Sequence, residues 1–355
     1  MNNCEGMFIS PAEKYGIVNF SPFNKSKNGD SITPLMIKNA YNIKELSGKN
    51  ITVGIVCAFE YKEVLSDFYN FCKTFSLNTE NVKTHFCENY AYAPNHIKEK
   101  WVCEAALDIQ WVRSFSNDSD IICYFARSDD INDIFPAIET ADKECDIVLL
   151  SFGITEFAGQ NIYEDFFKNA KAFFICAAGN GNKMYYPSSS QYTLSVGSTD
   201  IYFDRSGNKI GQEHYKKGGC GISKYTKMPS YQKDFVYDNN DMRCSPDVTF
   251  FSGGNKGAYF YCSEYGGHLS ASGTSVSTAC IAGICASIAQ ADKSILTKKA
   301  SFFYELAQKG KYNDLFIDIV MGRNENYKTQ KGYDLCTGLG TPNASKIIQF
   351  IKALS

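Results

Sequence analysis

The chain has 355 residues, 44% of them hydrophobic, and a formal net charge of −2. That length and apolar content suffice to bury one large core, and a near-neutral balance without a basic block or basic-aromatic stripe excludes nucleic acid as the expected partner. No apolar run of about 18 or more residues is read as a membrane span, and no internal repeat or low-complexity segment stands out.

The first residues, Met1-Asn2-Asn3-Cys4-Glu5-Gly6, lack a basic segment followed by an apolar stretch, so no secretory signal is read there. Residues 1–30 are expected to form a short N-terminal extension, and 31–355 a single domain. Residues 51–58 (ITVGIVCA) read as a buried strand and residues 63–75 as a helix. Residues 101–111 (WVCEAALDIQW) surround two acids with apolar side chains and predict a mostly buried helix. Further strands are expected at 121–125, 147–151, 173–178 (FFICAA) and 192–197, with Gly179-Asn180-Gly181 following the third of these. Residues 203–244, rich in Gly, Lys, Tyr and Asp, read as an elaborate surface excursion. The small-residue run 276–287 (VSTACIAGICAS) predicts a buried helix near the end. Continuous apolar strands alternating with helices predict an α/β protein, with a mainly parallel sheet covered on both faces and a site at the C-terminal strand ends.

Fourteen cysteines are present, and Cys57, Cys103, Cys123, Cys176, Cys280 and Cys285 lie in these strands and helices instead of a loop-rich framework. With no signal peptide in view, reduced thiols in the cytoplasm are expected, acting mainly as small buried hydrophobes; none has the Cys-x-x-Cys spacing of a zinc site.

The chemistry-bearing segment is Ser272-Gly273-Thr274-Ser275, directly before the small-residue helix. Ser and Thr are ordinary helix N-caps. The same placement also presents a serine nucleophile where a helix start offers N–H groups and a positive dipole end to a developing oxyanion, with the glycine allowing a sharp turn and close substrate approach. A serine hydroxyl needs a base. The four histidines, His85, His96, His214 and His268, read as surface or core residues. Glu104 and Asp108 serve better: at i and i+4 on one helix they share a face, and like charges that close hold one carboxyl protonated while the other remains a base.

Several ordered segments resemble the sedolisins, the serine-carboxyl peptidases with a subtilisin-like fold and a Ser-Glu-Asp triad. They are Ile32-Thr33-Pro34-Leu35 with Ala40-Tyr41-Asn42, Glu104-x-x-x-Asp108, Ser151-Phe152-Gly153, Pro246-Asp247-Val248, Ser272 to Ser275, and Phe316-Ile317-Asp318-Ile319 with the segment from Gly332 to Pro342. The resemblance implies a three-layer subtilisin-like fold and a serine-type endopeptidase acting on a peptide or protein through Ser275, with Glu104 as base and Asp108 orienting it. It also implies a calcium ion held by the carboxylates of Asp318 and Asp334 and the main-chain carbonyls of Ile319, Gln330 and Gly332, hard oxygens on a loop as calcium requires.

Departures from that family carry information too. Asn180 stands where sedolisins usually have an oxyanion-binding aspartate, and its amide donates a hydrogen bond at any ordinary pH; Asn-Gly is also a strong turn signal. Cys57 and Phe152 replace a glutamate and a tryptophan of the family's acid network, which argues against a strongly acidic optimum. Ala279 replaces a proline after the nucleophile. Sedolisins generally carry a long prodomain, and the short stretch before Thr33 implies folding without one and a restrained, narrow specificity such as maturation of a particular peptide. A catalytically silent peptide-binding pseudoprotease and a peptide ligase or transpeptidase on the same acyl-enzyme remain open alternatives, as do cleavage site and oligomeric state.

Overall fold

Valine- and isoleucine-rich runs assemble into an eight-stranded sheet in the computed structural model, which describes residues 31–354 apart from Glu45, Asn182 and residues 237–240. The extension expected at 1–30 lies outside the described residues. The strands are β1 (Thr52–Ala58), β2 (Val82–Phe86), β3 (Asp120–Ala126), β4 (Ile147–Leu150), β5 (Phe173–Ala177), β6 (Leu194–Phe203), β7 (Lys209–His214) and β8 (Val248–Phe251). Their order is β8-β6-β5-β4-β1-β3-β2, all parallel, with β7 antiparallel on β6. Every residue of β4, β5 and β8 is buried, as is β1 beyond Thr52, which is why these segments are apolar without alternation.

Five helices matter for the site. α1 (Pro34–Ala40) starts at the Thr33 cap, whose hydroxyl accepts from the Met36 N–H, with proline in the first turn. α2 (Val64–Phe75) and α3 (Asn95–Phe115) precede β2 and β3, α4 (Ile131–Glu144) joins β3 to β4, and α5 (Thr274–Ala291) follows the sheet. α3 and α5 pack against one another on one face while α4 covers β1, β3 and β4. The α3–α5 crossing is close because Gly283 has no side chain: a Cβ there would lie 2.6 Å from the Val112 carbonyl oxygen. α5 is long and apolar enough to cross a membrane by length and composition, contrary to the sequence expectation of no such run, yet it is mostly buried inside the protein. Its small residues serve close packing.

The α/β architecture expected from sequence, a mainly parallel sheet covered by helices on both faces, is what the chain adopts. The reading of residues 203–244 as a surface excursion needs correction. β7 extends the main sheet from within it, and Gly221–Lys227 pairs with Met242–Ser245 over a largely buried base. There Arg243 and Asp247, both fully buried, form a two-pronged ion pair at 2.8 and 2.6 Å. Asp247 also accepts from the Ser195 main chain and the Tyr304 hydroxyl, so the Pro-Asp-Val segment anchors the edge of the sheet. Asp247→Ala would strand a buried guanidinium, and a loss of about 3–5 kcal/mol in denaturant unfolding is expected; a loss under about 1 kcal/mol would show the pair to be dispensable.

Candidate active site

Helix α3 carries Glu104 and Asp108 inward, each 1% exposed, in a stretch that is buried from Trp101 to Phe115. One turn apart on a rigid, packed helix, the two carboxyls face the C-terminal end of β4 and the start of α5. The Ser151 hydroxyl at that strand end donates to Asp108 Oδ1 at 2.9 Å. Its carbonyl oxygen lies 3.4 Å from Ser275 Oγ, which donates to it. Asp108 Oδ2 and both Glu104 oxygens make no hydrogen bond of good geometry, although the Ser275 and Ser151 hydroxyls lie near enough to favour the Glu104 carboxylate.

Burial dominates the electrostatics. It pushes the Glu104 carboxyl up to about 8, against the two serine hydroxyls. Asp108 is raised well above the usual carboxylate range by burial and by the adjacent Glu104, against its Ser151 bond. The two acids therefore hold at least one proton between them near neutrality, and a carboxylate freed of its proton beside Ser275 is a base of useful strength. Cys57, at the end of β1, lies near both acids as a buried thiol held well above its ordinary range by burial, then by Asp108. The resemblance implies a glutamate at this position, and a thiol brings no further carboxylate to the pair.

Ser275 is the second residue of α5, 1% exposed, so its N–H belongs to the first turn, where an α-helix supplies no acceptor. Gly273 differs from expectation: at φ 160° and ψ 177° it is extended, and it holds the chain by donating to the Ser252 carbonyl at 2.7 Å instead of turning it sharply. Asn180 follows β5. Its Oδ1 accepts from the Thr274 N–H at 3.2 Å and the Thr274 hydroxyl at 3.3 Å, which fixes the amide so that Nδ2 points away as a buried donor with no partner. An unspent donor beside the Ser275 end of α5 is a geometry that could receive an oxyanion.

The structure thus brings together Ser275, Glu104, Asp108 and Asn180 as the sequence pattern predicts, and adds Ser151. Ser151 was legible only as part of a resembling segment; the local signal is a hydroxyl ending a fully apolar strand. Two histidines lie on other partners: His85 on Glu144, and His268 on the Tyr259 hydroxyl at 2.7 Å. Beside Ser151 an apolar pocket opens between Trp101, Ile134, Phe135, Phe152, Phe167 and Tyr186. Phe152, where the family has tryptophan, stands edge-on to Trp101 at 5.4 Å.

The five residues expected to hold calcium lie on the C-terminal loop. Gly332 donates its N–H to Asp318 Oδ2 at 2.9 Å and Gln330 donates to Asp334 Oδ2 at 3.0 Å, so both carboxylates converge on the 330–332 segment. Asp334 Oδ1 takes the Cys336 and Thr337 N–H groups. Among the described residues neither aspartate has a Lys or Arg at ion-pair distance, and burial pushes the Asp334 carboxyl up to about 6. The Tyr312 hydroxyl donates to Asp318 Oδ1 at 3.2 Å, so each of the four carboxylate oxygens accepts a hydrogen bond here; two carboxylates facing one loop segment, one buried without a counter-charge, are the hard oxygen type that calcium takes.

The family model described as the subtilase family, peptidase S8, matches residues 123–308. Sedolisin from Pseudomonas sp. (strain 101) is 26% identical over 189 residues, 49% of this chain and 31% of its own length. Tripeptidyl-peptidase 1 from Dictyostelium discoideum is 27% identical over 188 residues, 46% of this chain and 29% of its own. Each alignment therefore spans less than a third of the relative. The solved structure of Pseudomonas sedolisin, a serine-carboxyl proteinase complexed with two molecules of pseudo-iodotyrostatin, superposes with a TM-score of 0.80 at 22% identity, over 91% of this chain and 98% of that one. The fold is that of a sedolisin-like subtilisin.

Proposed function

The chain belongs to the subtilase family, and from that premise we propose that it is a serine-carboxyl endopeptidase that cleaves peptide bonds through an acyl-enzyme on Ser275. The observation that carries this reading is Ser275 at the head of α5 beside a buried carboxylate pair. In the proposed sequence Glu104 takes the Ser275 proton as Oγ bonds to the substrate carbonyl carbon. It then gives that proton to the departing amine as the peptide C–N bond breaks. A water, deprotonated by Glu104, attacks the acyl ester, and the proton returns to Ser275 as the ester opens. Asp108, steadied by Ser151, shares the second proton and orients Glu104. The Asn180 amide and the Ser275 N–H receive the oxyanion in both steps.

The apolar pocket at Phe152 suits a bulky hydrophobic side chain next to the scissile bond. A narrow specificity, such as maturation of a particular peptide, agrees with the defined apolar lining of that pocket, and a reducing compartment such as the cytoplasm agrees with the many buried free thiols. A fluorophosphonate probe tests the central claim: covalent labelling is expected on Ser275 and to vanish in Ser275→Ala. A folded wild-type protein that takes no label would point to a peptide-binding role instead.

Calcium, in this reading, is held by Asp318 and Asp334 with the carbonyls of Ile319, Gln330 and Gly332, and supplies charge that fastens the C-terminal loop, with no part in bond cleavage. A cation bound only by the folded state adds stability by mass action, about 2.7 kcal/mol at 100 times Kd. Chelation should lower Tm and added calcium restore it; an Asp318→Ala protein that melts like the wild type and responds equally to calcium would remove the site.

A further inference from the structure

Behind the oxyanion loop, three metal-ligating side chains that the acyl-transfer chemistry does not use come together in the protein interior. His214 ends β7, Cys220 precedes the strand Gly221–Lys227, and Cys336 lies in the C-terminal loop. They are 2%, 3% and 0% exposed, and one ligand atom from each lies within 4.8 Å of the others. Neither ring nitrogen of His214 makes a hydrogen bond of good geometry, although the Cys336 main-chain carbonyl lies near enough to one of them to favour a ring N–H, which leaves the other nitrogen without a partner. A fully buried imidazole without such a partner is costly, and a metal ion offers the missing one.

A second observation concerns the sulfur. The Asn324 Oδ1 accepts from the main-chain N–H groups of Asn326 and Tyr327 at 2.9 and 2.8 Å, which fixes the amide. Its Nδ2 must then donate to Cys220 Sγ, and does so at 2.9 Å. That donor favours a thiolate, as the outer partners of metal-bound cysteines do, and it works against the adjacent Cys336 sulfur and burial, which push the Cys220 thiol up. Two sulfurs and one imidazole nitrogen form a soft to borderline ligand set, unlike the all-oxygen loop nearby, and they select zinc over calcium or magnesium. Tetrahedral bonds of about 2.0–2.3 Å place such ligand atoms roughly 3.3–3.8 Å apart, so closing the cluster takes a contraction of about 1.5 Å or less.

We propose that His214, Cys220 and Cys336 form a site for a zinc-class divalent cation, with the fourth position left to water. The site would tie the segment after β7 to the C-terminal loop. Gly218 pairs with Asn180, and Gly219 donates to the Gly179 carbonyl at 2.7 Å. That contact is so close that a Cβ on Gly219 would sit 2.1 Å from the Ala178 oxygen. The residue next in the chain is the ligand Cys220, and Cys336 joins it to the loop of Asp334. Metal at this point braces the strand behind the oxyanion donor without touching substrate.

The test uses full-length protein kept reduced and saturated with calcium, so that the oxygen loop is already filled. Zn2+ is expected to bind at one equivalent and raise Tm, and Co2+ in its place to give sulfur-to-cobalt charge-transfer absorption in the near ultraviolet with the visible bands of tetrahedral cobalt. Asn324→Ala should weaken Zn2+ binding about 10–100-fold, and Cys336→Ser should abolish the near-ultraviolet band. Because the wild-type cobalt spectrum is read on its own, a variant that fails to fold does not obscure the result. Folded wild-type protein that takes up no zinc, a cobalt form without sulfur bands, or a Cys220–Cys336 disulfide mapped in protein isolated with its thiols blocked would each overturn the site. None of these readouts depends on peptidase activity.

Discussion

Ser275→Ala and Glu104→Gln are each expected to lower kcat on the order of 10⁴–10⁶-fold, and the double variant to be little worse than either alone, because nucleophile and base act as one proton-transfer unit. Single-turnover and steady-state rates on a folded Ser275→Ala protein decide the matter: substantial turnover would remove the assignment. The pH profile carries a second signature. Glu104 is a base only when deprotonated, and burial pushes its carboxyl up to about 8, so kcat/KM should climb as pH rises toward that value. The stability effect has the opposite sense. A carboxyl raised in the folded protein favours folding fully below its ordinary unfolded value, and that advantage is lost as pH rises through about 8. The ionisation that switches on the base therefore weakens the fold, and Glu104→Gln should flatten this part of the stability curve.

Asn180→Asp is expected to cost roughly 100-fold or more in kcat/KM at neutral pH, the usual scale for losing one oxyanion donor. Asparagine donates from Nδ2 at every pH, whereas an aspartate donates only while protonated, and its ordinary value is about 3.9, although burial raises it. The variant's remaining activity should accordingly shift toward acid, with kcat/KM falling as pH rises through the new carboxyl's own titration. Comparing both proteins over the range in which each stays folded is the measurement. Superimposable profiles would show that Asn180 serves only as a turn residue.

What the sequence revealed followed from how local each signal was. The central strands announced themselves because burial on both faces makes them continuously apolar; the 147–150 run (IVLL) is the clearest case. β2 did not, because an edge strand reading VKTHF is half in water and loses that pattern. β7 hid for the same reason within a polar stretch. Glu104 and Asp108 were legible since helical spacing alone aligns them, and Ser275 since it heads a helix. The orientation of Asn180, the bridging position of Ser151 and the meeting of His214 with two cysteines were not, because each depends on chain segments distant in sequence that only the fold brings together.

Thr274 holds the Asn180 amide by its main-chain N–H and its hydroxyl, while its next neighbour in the chain is the proposed nucleophile, Ser275. The proposed oxyanion donor, whose own main chain belongs to the loop after β5, is thereby tethered to the helix end that carries the proposed attacking oxygen. Preorganisation of this kind removes reorganisation from the barrier, since the dipole need not swing as negative charge grows. On the proposed reading, a change at Thr274 that frees the amide to rotate, however conservative in volume, should cost more activity than one that leaves both of its contacts to Asn180 in place.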